Sequence, residues 1–363
     1  MCVQGLDDCT IDPNPVLSSQ VRKKPITYRG PIMKKHYVMP CIVLTALQLL
    51  SGCGSSVKFE EYANRIDVRM KGELFTSYLH AVDPNQPLIA EGRRLAKPVL
   101  SPVYSPSGVL MTRAYPFFSV EGEAQDHPHH MGVYFTIDIN EEKFWGNSRE
   151  ELPSIQHIAV TKKRTRGKHG HLHTLMHWVN REGRVMLEEE RHMTFSDRSR
   201  EGLRVIDMTI NLTAQDQAVV IGDTKEGLMA VRVAPWLNEK NGTGRYLSSN
   251  GEETEKNVWG KRAKWMRLQG EKDDQTYGIA ILNHPDSVNY PNFWHARGYG
   301  CFSANPLGQG AFEKSRKVAN AQDLNLRLEP GVSACFRYRL LFYEGARTME
   351  EIESEFVAYA GAP

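Results

Sequence analysis

The segment Val205-Ile206-Asp207-Met208-Thr209-Ile210-Asn211-Leu212 alternates between apolar and polar residues. Apolar side chains occupy every second position from 206 to 212. Successive side chains of a β-strand point to opposite faces of the sheet, so this pattern predicts a strand with one buried face.

Similar strand patterns recur from residue 58 to residue 344, and turn signals such as Arg181-Glu182-Gly183 and Glu329-Pro330-Gly331 separate them. Many short strands with turns between them predict an all-β fold, a large antiparallel β-sandwich. The clearest runs are 66–70, 184–195, 203–212, 218–233, 277–282 and 324–343.

The end of the chain has a helical pattern instead. Thr348 and Glu351 have the spacing of a capping box, and apolar residues then recur at helical intervals through residue 360. We therefore expect a C-terminal helix that covers the sandwich. No internal linker or repeat interrupts the pattern, so a single domain is expected over residues 58–361.

The N-terminal region has the layout of a bacterial lipoprotein signal. Lys34 and Lys35 precede a mostly apolar run over residues 37–50, which ends in Leu50-Ser51-Gly52-Cys53. This resembles a lipobox, in which the cysteine is acylated and becomes the mature N-terminus. A buried helix that happens to end in cysteine is the alternative.

The lipoprotein interpretation divides the chain into an over-extended start (1–32), a signal peptide (33–52) and a short tether (53–57) that begins at the lipidated Cys53. The expected location is the cell envelope of a Gram-negative bacterium. Gly54, rather than Asp, follows the cysteine and favours the outer membrane. The acyl chains would anchor the protein to the lipid bilayer without spanning it.

Charge excludes a nucleic-acid-binding protein. The chain has 45 Lys and Arg against 43 Asp and Glu, and its first 52 residues contribute six basic and three acidic residues. The remainder has 39 basic and 40 acidic residues, so no basic field is expected. Beyond Cys53, only Cys301 and Cys335 remain; we expect small apolar side chains there, with a disulfide as the alternative.

The segment Asp126-His127-Pro128-His129-His130-Met131-Gly132 is the densest group of candidate functional residues. Histidine transfers protons near neutral pH and is a common metal ligand. We predict His129 and His130 as catalytic residues, and His127, His129 and His130 as ligands if a divalent metal binds. A solvated, histidine-rich loop is the alternative.

Other candidates are dispersed along the chain. His295 is the third predicted catalytic residue, in the segment Trp294-His295-Ala296-Arg297-Gly298-Tyr299-Gly300, whose aromatic and charged side chains suit a sugar. Trp294 as a core residue and the charged residues as a buried ion network are the alternatives. The predicted substrate-binding residues are Arg113, Tyr115, Trp145, Lys225, Glu226, Arg232, Arg262, His284, Trp294, Arg297 and Asn305.

Taken in order, these segments resemble a family of unknown function that is often labelled "methane oxygenase PmoA", over nearly the whole mature chain. The matching segments are 97–103, 112–116, 126–132, 222–227, 283–285, 294–297 and 305–308, with Phe144-Trp145 and Trp259-Gly260. Asn283 stands where the family usually has Asp, and Met131 where Arg is typical. These differences put a carboxylate role at 283 in doubt and remove a possible anion contact at 131.

The resemblance implies a β-supersandwich of the galactose-mutarotase type, related to aldose epimerases. A methane oxygenase is not expected, because such a membrane subunit needs several transmembrane helices and none follows the signal. The expected function is a periplasm-facing lipoprotein that acts on a carbohydrate or modified sugar.

Epimerase-, lyase- or hydrolase-like chemistry would then use one imidazole to protonate the ring or glycosidic oxygen. A second imidazole or a carboxylate would accept a proton, and metal-assisted proton abstraction is the alternative if the histidines hold a divalent metal. A non-catalytic glycan-binding lipoprotein and an envelope scaffold are the alternatives from other classes.

Overall fold

The computed structural model describes residues 55–80 and 92–361. They belong to one compact unit, Gly52–Pro363. The predicted over-extended start, the signal peptide and the lipidation site at Cys53 lie outside the described residues. Within the described ranges, no helix is both long and apolar enough to cross a membrane.

Short antiparallel strands account for most of the regular structure. They are β1 (Val57–Tyr62), β2 (Arg65–Met70), β3 (Glu73–Leu79), β4 (Val99–Val103), β5 (Val133–Phe135), β6 (Ser154–Arg166), β7 (His169–Val179), β8 (Val185–Arg198), β9 (Leu203–Ala214), β10 (Val219–Ile221), β11 (Met229–Arg232), β12 (Arg245–Ser248), β13 (Trp265–Lys272), β14 (Gln275–Asn283), β15 (Phe293–Ala296), β16 (Cys301–Asn305), β17 (Leu326–Leu328) and β18 (Ser333–Glu344). The helices are α1 (Glu255–Val258), α2 (Gln309–Ser315) and α3 (Met349–Ala360).

The strands form two eight-stranded sheets and one small pair. The first sheet has the order β1-β2-β3-β4-β5-β11-β16-β15, and the second has the order β12-β13-β14-β18-β9-β8-β7-β6. Strands β10 and β17 pair separately. Neighbouring strands in both sheets run antiparallel, so the predicted all-β sandwich with a C-terminal helix is confirmed.

Apolar side chains from both sheets meet in one continuous core. The alternating face predicted for β9 is buried there: Ile206 and Ile210 have no exposed surface, and Met208 is 2% exposed. Phe135 of the first sheet lies 5.6 Å, centroid to centroid, from Phe336 of the second. Burial of these alternating faces holds the two sheets together.

Helix α3 begins as predicted. The Thr348 hydroxyl accepts a hydrogen bond from the Glu351 N–H, and the Glu351 carboxylate accepts one from the Thr348 N–H. Ile352 and Phe356 then pack with Trp265 in a separate apolar cluster on the second sheet. Helices α1 and α2 were not predicted, because four and seven residues are too few to show a helical period.

The predicted strand run 218–233 is two strands, β10 and β11, separated by residues 222–228. Asp223 explains the interruption, because its carboxylate accepts hydrogen bonds from the N–H groups of Gly310, Ala311 and Leu324 at 2.7–2.9 Å. These bonds hold the segment away from a continuous sheet ladder.

The first sheet is buried on both faces over its central strands. Its outer face carries a second apolar cluster, which contains Val99, Met131, Tyr134, Trp145, Ala230 and Cys301. Cys301 and Cys335 are unpaired, and Cys301 is a fully buried part of this cluster. The layer above the outer face is formed by loops, and the candidate site lies there.

Gly132 joins those loops to β5 and allows a test of this packing. Its φ is +55°, and a Cβ atom at this position would overlap the Leu100 carbonyl oxygen. We expect Gly132→Ala to lower the free energy of unfolding by about 3 kcal/mol or more, because backbone strain of about 1–2 kcal/mol adds to the overlap. Urea-induced unfolding measures the change.

Gly183→Ala is the matched control. Gly183 has a φ of +79°, but no atom lies within 4 Å of the place that a Cβ atom would occupy. Only the strain of about 1–2 kcal/mol should therefore remain. Equal losses in the two variants would contradict the close packing described at Gly132.

Candidate functional site

Four residues form a row across the outer face of the first sheet. Tyr134 of β5 pairs with Ala230 of β11, which pairs with Ser303 of β16, which pairs with His295 of β15. Neighbouring strands lie about 4.8 Å apart, so the backbones at the two ends of the row are about 14 Å apart. The two small residues in the middle leave a shallow floor between the tyrosine and the histidine.

A stack of four rings rises from one end of this floor. Tyr134 lies against His130, His130 against His127, and His127 against Tyr299, with centroid separations of 5.8, 5.0 and 5.2 Å and interplanar angles below 20°. The Trp145 ring packs edge-on against His130 at 5.5 Å. The histidine loop, residues 126–132, is therefore seated on the sheet by aromatic contacts.

Arg113 holds the histidine loop from below. Its guanidinium donates to the carbonyl oxygens of Ala124, Asp126, His127 and His130 at 2.7–3.2 Å, and to Asp126 Oδ1 at 2.7 Å. The residue is 2% exposed. Its two terminal nitrogens therefore hold the loop, and its predicted role in substrate binding stays a prediction.

Asp126 orients His127. Its Oδ1 accepts hydrogen bonds from Arg113 Nη1 and Arg232 Nη2, both at 2.7 Å, while its Oδ2 lies 2.9 Å from His127 Nδ1. Burial raises the pKa of Asp126, but Arg232, His127 and Arg113 outweigh it and leave the pKa below its ordinary value. The His127 side chain stays 43% exposed. An imidazole held at Nδ1 can exchange a proton at Nε2.

Burial favours the neutral form of the three histidines predicted to be catalytic. Burial, followed by the charge of Lys97, lowers the pKa of His129 to about 3, and burial also holds the pKa of His130 well below its usual value. Burial and Arg297 lower the pKa of His295 to about 3. A neutral imidazole is a weak general acid, but it can still donate a hydrogen bond from its N–H or accept one, so the catalytic roles of these three histidines stay predictions.

The predicted metal ligands do not converge. In the part of the chain that the structure describes, no group of three or more His, Cys, Asp or Glu side chains is placed to hold a metal ion. The rings of His127 and His130 are stacked at an interplanar angle of 11°. Their in-plane nitrogens therefore do not point to one centre, which corrects the prediction of a ligand set formed with His129.

Two other groups have shifted proton affinities. Burial raises the pKa of Glu226, which is half-buried near Lys225, His127 and Arg297. Burial lowers the pKa of Lys97 to about 7, and its Nζ donates to the Trp145 carbonyl oxygen at 3.1 Å. The sequence prediction assigned no role to Lys97. Its position two residues before the apolar strand β4 could have indicated that this lysine is buried.

Arg297 and Lys225 lie at the His295 end of the floor. Arg297 Nε is 3.0 Å from Glu255 Oε1, and its guanidinium lies 5.8 and 5.7 Å from the ring centroids of Trp259 and Tyr299. Lys225 is exposed. The charges of Lys225 and Arg297 act on the Glu226 carboxylate, so these three predicted substrate-binding residues lie near one another.

Three predicted substrate-binding residues lie elsewhere or are enclosed. Trp294 has no exposed surface, and its Nε1 donates to the Ala263 carbonyl oxygen in the core. His284 packs edge-on against Tyr359 of α3 at 5.1 Å, and Tyr115 is 4% exposed. None of them presents an open ring face to a sugar, which corrects their predicted roles.

Two more of the predicted residues hold loops. Arg262 donates to oxygens of residues 289–291 and to Gln309 Oε1. Asn305 is fully buried and donates from Nδ2 to the Thr224 carbonyl oxygen at 2.8 Å. These contacts position the loops around the floor and commit the two side chains to the protein rather than to a ligand, a further correction.

Two clefts open beside the histidine loop. One, of about 530 Å³, is lined by Arg93, Pro128, His129, Asp138, Lys143, Trp145, Gly146, Asn147, Ser148, Arg149, Glu150 and Arg181. The other, of about 320 Å³, is lined by Arg113, Gly122, Ala124, Arg232, Val233, Pro235, Trp236, Asn238, Asn241 and Tyr299. Both have the size of small-molecule sites.

The sequence model of a family of unknown function, DUF6807, matches residues 65–357. The match does not carry the methane-oxygenase label of the resemblance described above. No curated protein matches the chain.

Several solved structures are similar to the chain at low identity. The galactosidase domain of an α-galactosidase-sucrose kinase is 11% identical over 80% of this chain and 42% of that one, with a TM-score of 0.38. A galactose mutarotase related enzyme from Lactobacillus acidophilus is 9% identical over 79% of this chain and 97% of that one, with a TM-score of 0.29.

A putative aldose 1-epimerase from Escherichia coli K12 is 12% identical over 81% of this chain and all of that one, with a TM-score of 0.26. The chain spans about two fifths of the length of the galactosidase that it matches. The fold described above rests on the strand pairing of this protein itself.

The role of Arg113 as a clamp can be tested by its cost to stability. We expect Arg113→Gln to lower the free energy of unfolding by about 2–3 kcal/mol, because it removes the charge-assisted hydrogen bonds to the loop carbonyls, including the buried one of His130, and one of the two arginines that hold Asp126. Urea-induced unfolding gives the value. Arg297→Gln is the control and should cost about 1 kcal/mol or less, since that side chain is 36% exposed. A similarly small loss of unfolding free energy in Arg113→Gln would contradict the clamp and favour the predicted role of Arg113 in substrate binding.

Proposed function

We propose that this chain, which belongs to the DUF6807 family of unknown function, is a carbohydrate-active protein with its site on the outer face of the first sheet. Aromatic rings, carboxylates and guanidinium groups converge there around the floor. Such surfaces suit a sugar, because the rings cover its C–H faces while charged groups bind its hydroxyls.

The Asp126–His127 pair is the observation that carries the proposal of catalysis. Two buried arginines hold the Asp126 carboxylate, which in turn holds His127 Nδ1. A base oriented by a third group is the arrangement that general acid–base catalysis uses. The sequence prediction considered His127 only as a metal ligand, so the acid–base role moves to it from its neighbours.

Glu226 supplies the opposite proton transfer in this proposal. Its raised pKa keeps part of the carboxyl protonated closer to neutral pH, and it lies within electrostatic range of His127. Glu226 gives its proton to the ring or glycosidic oxygen, while His127 Nε2 takes a proton from the anomeric hydroxyl or from a ring carbon. If the proton comes from the anomeric hydroxyl, the reaction is that of an epimerase. If it comes from a ring carbon, the reaction is that of a lyase.

A non-catalytic glycan-binding protein is the second candidate. The lowered pKa values of His129, His130 and His295 favour it, because neutral imidazoles act as ring surfaces and hydrogen-bonding groups. In that case the partly exposed ring of Tyr299 carries the affinity, and His127 does not matter for it.

We also propose that the protein is a periplasm-facing lipoprotein, anchored through acylated Cys53 in the outer membrane. The lysines, the apolar run of residues 37–50 and the Leu50-Ser51-Gly52-Cys53 box support it. Acylation would keep the site in the compartment where external glycans arrive.

Substitution of the acid–base pair separates the two candidates. The full chain in detergent is incubated with a panel of mono- and oligosaccharides, and NMR spectroscopy records anomer exchange, proton loss from carbon and new reducing ends. We expect turnover of at least one sugar, reduced about 100-fold or more in both His127→Ala and Glu226→Gln. The pH–rate profile of Glu226→Gln should lose its alkaline limb, since deprotonation of Glu226 would no longer limit the rate.

His177→Ala is the matched control, because His177 lies on β7 of the second sheet, away from the site. It should keep full activity. If sugars bind to all variants alike and none is turned over, the glycan-binding candidate replaces the enzyme.

Lipidation has its own test. In a Gram-negative host fed radiolabelled palmitate, the full chain should carry the label and partition into Triton X-114, and Cys53→Ser should lose both properties. Cys41→Ser lies in the predicted signal peptide and should behave like the unsubstituted chain. Label retained by Cys53→Ser would show that another residue is acylated.

A further inference from the structure

The 530 Å³ cleft beside the histidine loop carries more cations than carboxylates. Four cationic side chains line it, against the carboxylates of Asp138 and Glu150; the four are Arg93, Lys143, Arg149 and Arg181. The whole chain is close to neutral, with 45 basic and 43 acidic residues. The excess of positive charge in this cleft is therefore local and does not reflect the composition of the whole chain.

Both carboxylates in the cleft are already paired. Asp138 Oδ2 lies 3.2 Å from Lys143 Nζ, and Asp138 Oδ1 accepts a hydrogen bond from the Trp145 N–H at 2.9 Å. Glu150 Oε2 lies 3.4 Å from Arg181 Nη2. Neither carboxylate is therefore left to neutralise the other two arginines of the cleft.

Arg93 and Arg149 differ from these paired cations. Among residues 55–80 and 92–361, neither has a carboxylate within 4 Å. Arg93 Nε is also buried without a hydrogen-bond acceptor there. Two guanidinium groups are thus left for an anion that enters the cleft, and guanidinium binds carboxylate and sulfate oxygens through paired N–H donors.

A buried cation adds to this field. Lys97 is 1% exposed, and its Nζ bonds to the carbonyl oxygen of Trp145, a residue that also lines the cleft. Its charge acts on His129, which lines the same cleft. The Asp138 carboxylate already acts on Lys97, and an anion in the cleft would further favour its protonated form, so that the two charges would stabilise each other.

We propose that this cleft binds an anionic carbohydrate, with the carboxylate or sulfate group of the sugar paired with Arg93 and Arg149. The proposal rests on the proposed carbohydrate function and names the substrate class. Pro128, His129 and Trp145 line the cleft, so the acidic sugar lies next to the histidine loop.

Affinity electrophoresis of the full chain tests the proposal with four probes in two matched pairs. Polygalacturonate is compared with its fully methyl-esterified form, and dextran sulfate with dextran. We expect retardation by an acidic probe and at least tenfold weaker binding to its neutral counterpart. If polygalacturonate alone retards the protein, the cleft binds a carboxylate, and if dextran sulfate alone does so, it binds a sulfate. Retardation by both probes means that the cleft binds either anion.

Charge-removing variants locate the binding. R93Q combined with R149Q should weaken binding of the acidic probe tenfold or more, whereas R245Q, which removes an exposed arginine on β12, should not change it. Thermal unfolding of each variant checks that the fold is intact.

Equal affinity for an acidic probe and its neutral partner, unchanged by R93Q/R149Q, overturns the anionic substrate and leaves the carbohydrate function standing. Loss of acidic binding in R245Q to the same extent would mean a diffuse charge effect and also overturns the assigned cleft. Absence of binding to all four probes overturns the anionic proposal. The carbohydrate function is tested separately by the NMR assay with mono- and oligosaccharides.

Discussion

The buried guanidinium of Arg113 is the contact on which the candidate site depends. Desolvating a charged group costs several kcal/mol unless its donors are used, and here the donors are shared between Asp126 and four loop carbonyls. The same contacts fix the turn that brings His127 over the sheet. Without Arg113, the Asp126 carboxylate would have only Arg232 to hold it in position beside the imidazole.

The sheet beneath makes this clamp possible. Small residues at Ala230 and Ser303 leave room above the strands, while Tyr134 supports the stack of rings that ends at Tyr299. Because loops cover the outer face of the first sheet, charged groups near it lose water, and their pKa values shift. Neighbouring histidines differ in burial: His130 is buried and His129 partly buried, which lowers their pKa values, whereas the His127 side chain stays 43% exposed.

Much of the fold was predictable from pattern, and much of the site was not. Alternation in β9 and the capping box at Thr348 are local signals, so strand and helix were predicted where they occur. The break between β10 and β11 depends on Asp223 contacting residues more than eighty positions away, which no local pattern shows. A tryptophan ring suits either a sugar-binding surface or the protein core. Only the tertiary contacts of Trp294, such as its hydrogen bond to the Ala263 carbonyl oxygen, show that it is a core residue.

Side-chain periodicity and capping act over a few residues, so the all-β sandwich, its C-terminal helix and the segments that contain the candidate site all follow from the order of the amino acids. The folded structure alone decides which of those residues lie on the same surface. It also decides which of their charged groups are left without an ion pair. Proton affinity and ion pairing depend on burial and on partners distant in the chain, and neither is written in a local pattern. Such long-range placement makes Arg113 hold the histidine loop and brings Arg232 to Asp126, which orients His127.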